Sequence, residues 1–220
     1  VAGQFWHPLN TPDLSTYLGQ IRALNPDCVF SVQTGADSAR ILQQWASYGF
    51  KDKIPLLTSQ NVTDQSVIRT LTPAECEGIV SSSHFAEGGD IPGTKAFVET
   101  YDKAYKKLPG IFAAEGFTGA MWIAYALNKM KGRSEDAKAL LSTLVSETVE
   151  GTPFGKSVKM DSYGNPIFDV YVRRVVKRAD GKLVNAVVET YPQVSQFWRY
   201  NPTEYLKQPA YSRAFQGIAK

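Results

Sequence analysis

The first hundred residues alternate short apolar runs with amphipathic helical segments at short loop length, and this rhythm constrains the fold more than any other feature of the chain. Residues 2–6 read as a strand. Thr11 and Pro12 read as an N-cap and first helical position, with Leu14, Leu18, Ile21 and Leu24 following at helical spacing. Residues 27–32, held between Pro26 and Gly35, predict a buried strand around Cys28. Residues 38–48 predict a helix with Ile41, Leu42, Trp45 and Tyr48 inward and Gly49 as its stop. A third strand is expected at 54–57, a short helix at 64–71, a fourth strand at 78–82, and a helix marked by Phe97, Tyr101, Ala104 and Leu108. Strand and helix repeated in this way define an α/β class: a parallel open sheet with helices on both faces.

After Pro109-Gly110 the rhythm breaks. One long helix is expected over 111–130, stopped by Gly132. Ser134 reads as the cap of the next, whose stripe is Ala137, Leu140, Leu141, Leu144 and Val145. Two β segments at 156–160 and 167–177 flank the turn-forming 161–166, and a turn at 179–182 leads to a last strand at 183–190. From Tyr191 the tail is rich in aromatics, Pro and Gln and reads as coil. At roughly 150 residues per domain, 220 residues make about one and a half domains. Together with an opening Val1-Ala2-Gly3, that points to a processed product or an excised piece.

Composition excludes several classes. Hydrophobic residues at 43% supply a packed core, and the longest apolar runs are too short to span a bilayer. The net charge of +3 is spread along the chain, densest at 173–178, and forms no nucleic-acid arm. Cys28 and Cys76 make no framework; with Cys28 inside one strand, Cys76 ahead of another and the 54–57 strand between them, both are expected to be unbridged. With His7 and His84 far apart, no metal site and no cofactor is expected.

Motifs that would carry catalysis are incomplete. The run 151–157 has three residues between its glycines where a phosphate loop needs four, and it precedes a strand where a phosphate loop precedes a helix, so it reads as a turn. Ser81-Ser82-Ser83-His84 lacks a nucleophile elbow, and neighbours on a strand point to opposite faces. Asp13, Asp37 and Asp64 each stand near a helix start, where they complement the dipole. No catalytic residue is therefore assigned. What remains is positional: ligands of open parallel sheets bind at the carboxyl ends of the strands. Those ends read 33–36 (Gln-Thr-Gly-Ala), 58–61 (Thr-Ser-Gln-Asn) and 83–85 (Ser-His-Phe), a hydrogen-bonding surface with little charge.

The order of segments resembles the type I periplasmic solute-binding proteins of ABC transporters, closest to the branched-chain amino acid receptors. The resemblance is carried by 25–30 with 35–38, by 77–80, 97–101, 116–120 and 155–166, and by the tail 194–198. It implies a two-lobed receptor, of which residues 1–109 are the second lobe without its first strand and helix. Residues 110–169 are then helices and a β segment of the first lobe, and 170–220 hold a crossing strand, the return to the second lobe and the tail. It implies a non-enzymatic, periplasmic protein that delivers a small molecule to membrane permease subunits. Thr34 and Gly35 match a ligand-bonding position. Gln60, with Ser59, matches the place where amino acid receptors set an acidic residue on the ligand ammonium. Phe117 matches an aromatic on the first-lobe helix, and His84 lines the cleft mouth. Gln60 in place of an acid implies a carboxylate ligand without an α-ammonium, most simply an aromatic acid. An amino acid is the alternative ligand, and a ligand-sensing regulator or receptor ectodomain the alternative class. The long helix would present Phe112, Phe117, Met121 and Tyr125 as an apolar face, implying self-association or pairing with the missing N-terminal portion.

Overall fold

The computed structural model describes residues 1–210 and 212, so the end of the 170–220 segment lies outside the described residues. Helix α1 spans Ser15–Leu24, β1 Val29–Ser31, α2 Ala36–Ser47, β2 Leu56–Thr58, α3 Gln65–Ile68, α4 Pro73–Cys76, β3 Val80–Ser83 and α5 Pro92–Tyr105. Then come α6 Ile111–Lys129, α7 Ala137–Ser146, β4 Val149–Glu150, β5 Ser157–Met160, β6 Pro166–Lys177, β7 Leu183–Val194 and α8 Pro202–Tyr205.

The α/β class is as the sequence predicts, but the sheet is mixed. Strands β1, β2 and β3 are parallel neighbours, whereas β6 runs antiparallel to β3 and β7 antiparallel to β6. β6 changes partners along its length. Its first residues pair with β5, and Tyr171–Arg174 pair with Val80–Ser83 of β3. One strand thus belongs to both β units.

Several local expectations are corrected. Residues 2–6 form no strand: they run as coil, leaving three parallel strands where four were expected. α1 starts at Ser15 rather than Pro12, because the Asp13 carboxylate accepts hydrogen bonds from both Ser15 N and Ser15 Oγ and organises the turn there. Cys28 precedes β1 instead of lying within it. The helix expected at 64–71 closes after one turn, and a further turn, α4, follows with a Thr72–Glu75 capping box. Asp136, not Ser134, caps α7 by accepting from Ala139 N. The strand expected to end at Thr190 runs on to Val194, because β6 offers a partner as far as Phe168. β4 before the 151–156 turn was not foreseen.

Burial explains the helices. Leu14 at the N-cap of α1, Leu18 within it, and Ile41, Leu42 and Trp45 of α2 cover Leu56, Ile79, Val175 and Leu183 in one core, where Trp45 stacks on Phe50 at 4.7 Å. A second core joins Phe97 of α5, Ile111, Ala114 and Trp122 of α6, Val149 and Val158. Trp122 Nε1 also donates to Leu144 O at 3.0 Å, holding α7 against α6. On α6, Phe112 and Phe117 are exposed as expected, but Met121 and Tyr125 are half-buried and the exposed stripe instead continues through Ile123.

Both thiols are free, as expected: Cys28 is exposed and Cys76 buried. Burial, with a smaller push from Glu75, raises the Cys76 thiol to about 12. A maleimide reagent is therefore expected to label Cys28 in the native protein and Cys76 only after denaturation. Equal labelling rates would show the Cys76 site to be open.

One buried carboxylate organises the start of α6. Asp64 accepts from Ser66 N at 2.9 Å and, from a distant segment, from Ile111 N at 2.7 Å. Gly110 permits this, since a Cβ there would sit 2.6 Å from the Asp64 carboxylate. Asp64→Ala strips a cap from two helices and leaves a buried N–H unpaired, so urea denaturation should show a loss of about 2 kcal/mol. A loss within experimental error would remove Asp64 from this role.

Candidate functional site

Register brings the three candidate loops together. Ser31 of β1 lies beside Thr58 of β2, and Thr58 beside Ser81 of β3, so the connections after all three strands leave the same edge. Ser59 N donates to Ser31 O at 3.1 Å, stitching the second loop to the end of the first strand. Thr34 is exposed on the first loop, and Gly35 takes a positive φ of 57° at the start of α2, where no side chain caps the helix. The edge thereby offers backbone N–H groups and small side chains.

On the second loop, Ser59 Oγ and Asn61 Oδ1 are buried without a hydrogen-bond partner among the described residues. Gln60 is half-buried, and its Oε1 accepts from Ser83 Oγ at 3.4 Å, linking the second and third loops. His84, next along, is gripped by rings: Phe168 stacks on it at 4.3 Å and Phe154 meets it edge-on at 4.6 Å. Its Nε2 lies 3.2 Å from Glu115 Oε1 on α6. Burial and the Arg173 charge hold His84 down at about 4, while burial and Asp64 hold the Glu115 carboxyl above its ordinary range. Both shifts favour the uncharged form of each group, so the contact is a close polar approach rather than a formal ion pair.

Gln60 and His84 are thus brought into one connected group, with Thr34, Gly35 and Ser59 on the same edge. Phe117 is placed differently. Its ring packs on Phe97 of α5 at 4.8 Å, and it is Glu115, two residues earlier and hence on another side of the helix, that reaches His84. Sequence reasoning passed over Glu115, Phe154, Phe168 and Arg173. Arg173 alone left a signal, because its parity with Tyr171 and Val175 on β6 puts it on the buried face. Cavities of about 170 and 280 Å³ lie away from this edge, around Arg69, Lys107 and Leu108. Among the described residues there is no metal-holding group, and no helix is long and apolar enough to cross a membrane.

Parallel strands ending in one polar edge, with a ring-clamped histidine facing a helix from the following segment, form the setting in which open α/β sheets bind ligands. Residues 1–182 match the periplasmic binding protein family, and the chain belongs to it. It is similar to an ABC transporter substrate-binding protein from Sphaerobacter thermophilus, with 30% identity and a TM-score of 0.79 over 85% of this chain and 51% of that one. It is also similar to an ABC transporter solute-binding protein from R. palustris in complex with benzoate, with 25% identity and a TM-score of 0.72 over 86% of this chain and 50% of that one. The Leu/Ile/Val-binding protein homolog 7 of Brucella abortus is 27% identical over 70% of this chain and 40% of its own length. The chain therefore spans about half the length, or less, of the relatives it matches.

Proposed function

We propose that the receptor containing this chain is a non-enzymatic periplasmic solute-binding protein that captures an aromatic carboxylate between two lobes and hands it to ABC permease subunits. Lobe closure, driven by contacts made only in the closed state, does the capturing. In this reading the chain divides at 109 and 169, and the partner change of β6, from β5 at its start to β3 further on, supports a strand that passes between the two lobes. The observation that carries the ligand class is Gln60. It sets an uncharged amide on the ligand edge, bonded to Ser83. A buried ammonium left without a carboxylate costs several kcal/mol, while an amide serves a carboxylate or phenol well. That a relative at 25% identity holds benzoate agrees with this.

Thr34, Gly35, Ser59 and His84 join Gln60 as ligand contacts on the second-lobe side, and the partly exposed Phe117 is assigned to the first-lobe side. A second reading, an amino acid ligand, draws on Glu115, whose carboxylate is 40% exposed beside His84 and could meet an ammonium. A thermal-shift panel on the full-length receptor separates the two. At a hundred times its dissociation constant a ligand stabilises by about 2.7 kcal/mol. Benzoate and 4-hydroxybenzoate should raise Tm, and a shift from leucine or valine alone would overturn the aromatic assignment.

The same reading assigns partners to two uncovered apolar surfaces. On the sheet, Phe30 of β1 is 65% exposed beside its register partner Leu57, and β1 is an edge strand. On α6, Phe112 is also 65% exposed and Ile123 is 50% exposed. In the receptor both are covered by the N-terminal portion, and this chain alone should self-associate through them. Light scattering that shows a monomer with cooperative unfolding would refute this.

A further inference from the structure

Beneath the ligand edge lies a buried polar layer where a sheet of this kind ordinarily carries aliphatic side chains. Thr58, Ser81 and Arg173 are register neighbours on one face of β2, β3 and β6, and all three are buried. Arg173 is 1% exposed and spends its guanidinium fork on two different loops. Its Nη2 donates to Gln60 O at 2.9 Å and Thr63 Oγ1 at 3.2 Å, its Nη1 to Phe85 O at 2.6 Å, and its Nε to Ser81 Oγ at 3.0 Å.

The neighbouring strand repeats the arrangement. Asn185 of β7 donates through Nδ2 to Thr63 O at 2.7 Å and to Glu87 Oε1 at 2.9 Å, and its backbone N also reaches Glu87 at 2.7 Å. Its carbonyl accepts from Gly88 N, where a Cβ would approach within 2.7 Å, so the backbones are in direct contact. Both loops that carry Gln60 and His84 are therefore tied from below to β6 and β7. β6 is also the strand that extends to β5.

Among the described residues no carboxylate reaches Arg173 at ion-pair distance, although Glu87 and Asp64 favour its charge from further off; the desolvation of a buried guanidinium offsets much of what such bonds and charges return. What the fork does well is fix geometry, because its donors are rigid and divergent. One anchored carbonyl belongs to Gln60 itself, and the other to the residue after His84. We propose that Arg173 is a positioning residue for ligand binding. It locks the Gln60 and His84 loops in register with each other and with the crossing strand, so that ligand contacts are set by β6 rather than by the loops alone.

This rests on the ligand-binding reading above, and the experiment separates the two. In the full-length receptor, Arg173→Met and Arg173→Lys are compared with the original by hydrogen–deuterium exchange without ligand and by calorimetric titration with benzoate and with leucine. Exchange at 60–65 and 85–88 should quicken at least roughly tenfold in Arg173→Met while α1 and α2 keep their protection. The affinity for whichever probe binds should fall by at least about tenfold. Lysine, with its donors on one atom, should recover Tm more fully than it recovers loop protection or affinity. If Arg173→Met does not fold, Arg173→Lys and Ser81→Ala, which removes a single acceptor under the fork, carry the comparison. Exchange that rises evenly over the sheet, or affinity that falls only in step with Tm, would reduce Arg173 to a structural group and overturn the proposal. If neither probe binds the original receptor, the ligand assignment fails while the exchange pattern still decides the role of Arg173.

Discussion

The Gln60→Glu receptor is expected to lose benzoate affinity by roughly 100-fold or more, equivalent to about 2.7 kcal/mol or above. The substitution keeps shape and preserves an oxygen to accept from Ser83 Oγ, so the loop has no steric reason to move. Its backbone anchor, Gln60 O to Arg173, does not involve the side chain. What changes is sign: a carboxylate comes to face the ligand carboxylate in a site that closes around it, and like charges brought together cost several kcal/mol. The same change should admit leucine, whose ammonium would now find a partner. Calorimetric titration of both ligands against both proteins checks this. A benzoate affinity within about threefold of the original would mean that the Gln60 side chain does not face the ligand carboxylate. If the original protein binds leucine and Glu115→Gln abolishes it, the ammonium is met from α6 instead.

The fold was legible where local signals and burial agree. α2 could be placed because Ile41, Leu42 and Trp45 repeat at helical spacing and all three are buried against one core. β1 and β2 were legible because turn residues bound short apolar runs. The errors cluster where a partner from elsewhere decides the outcome. Residues 2–6 have the composition of a strand, but a strand exists only beside another one. β7 runs past Thr190 because β6 lies alongside, and nothing local in the Pro- and Gln-bearing tail announces that ladder. The antiparallel placement of β6 is a fact of topology that periodicity cannot carry.

The candidate site divides along the same line. Strand ends gave away the loops at Thr34, Gln60 and His84, since parallel strands in register end together. Side chains that reach the edge from far along the chain did not show. Glu115 meets His84 from α6, and Arg173 meets Gln60 and Phe85 from β6. Glu115 carries no local pattern that marks it, and Arg173 only its buried parity on β6, because their roles come from three-dimensional convergence.

Acid should weaken the fold through His84. Its imidazole is buried between Phe154 and Phe168, with Arg173 adding positive potential, and is held down from 6.5 to about 4. A depressed histidine stabilises the native state above the unfolded value, and that stabilisation is lost as pH falls. The unfolded chain takes up the proton near 6.5, and the native chain refuses it until about 4. Across that window the loss amounts to about 3 kcal/mol at 1.36 kcal/mol per pH unit. Two carboxyls work the other way. Glu115, facing His84 from α6, and Glu87, buried below the loops, are both raised mainly by burial, so each gains its proton earlier in the native state and offsets part of the loss. His84→Phe retains the ring stack and both carboxyls while removing the titrating group. The stability difference between original and variant, from urea midpoints, should therefore shift by about 3 kcal/mol between pH of roughly 7 and 4, against the original protein as pH drops. Parallel pH curves for the two proteins would show that His84 titrates alike in the folded and unfolded chain, and that burial between the rings, with the Arg173 charge, does not keep it neutral.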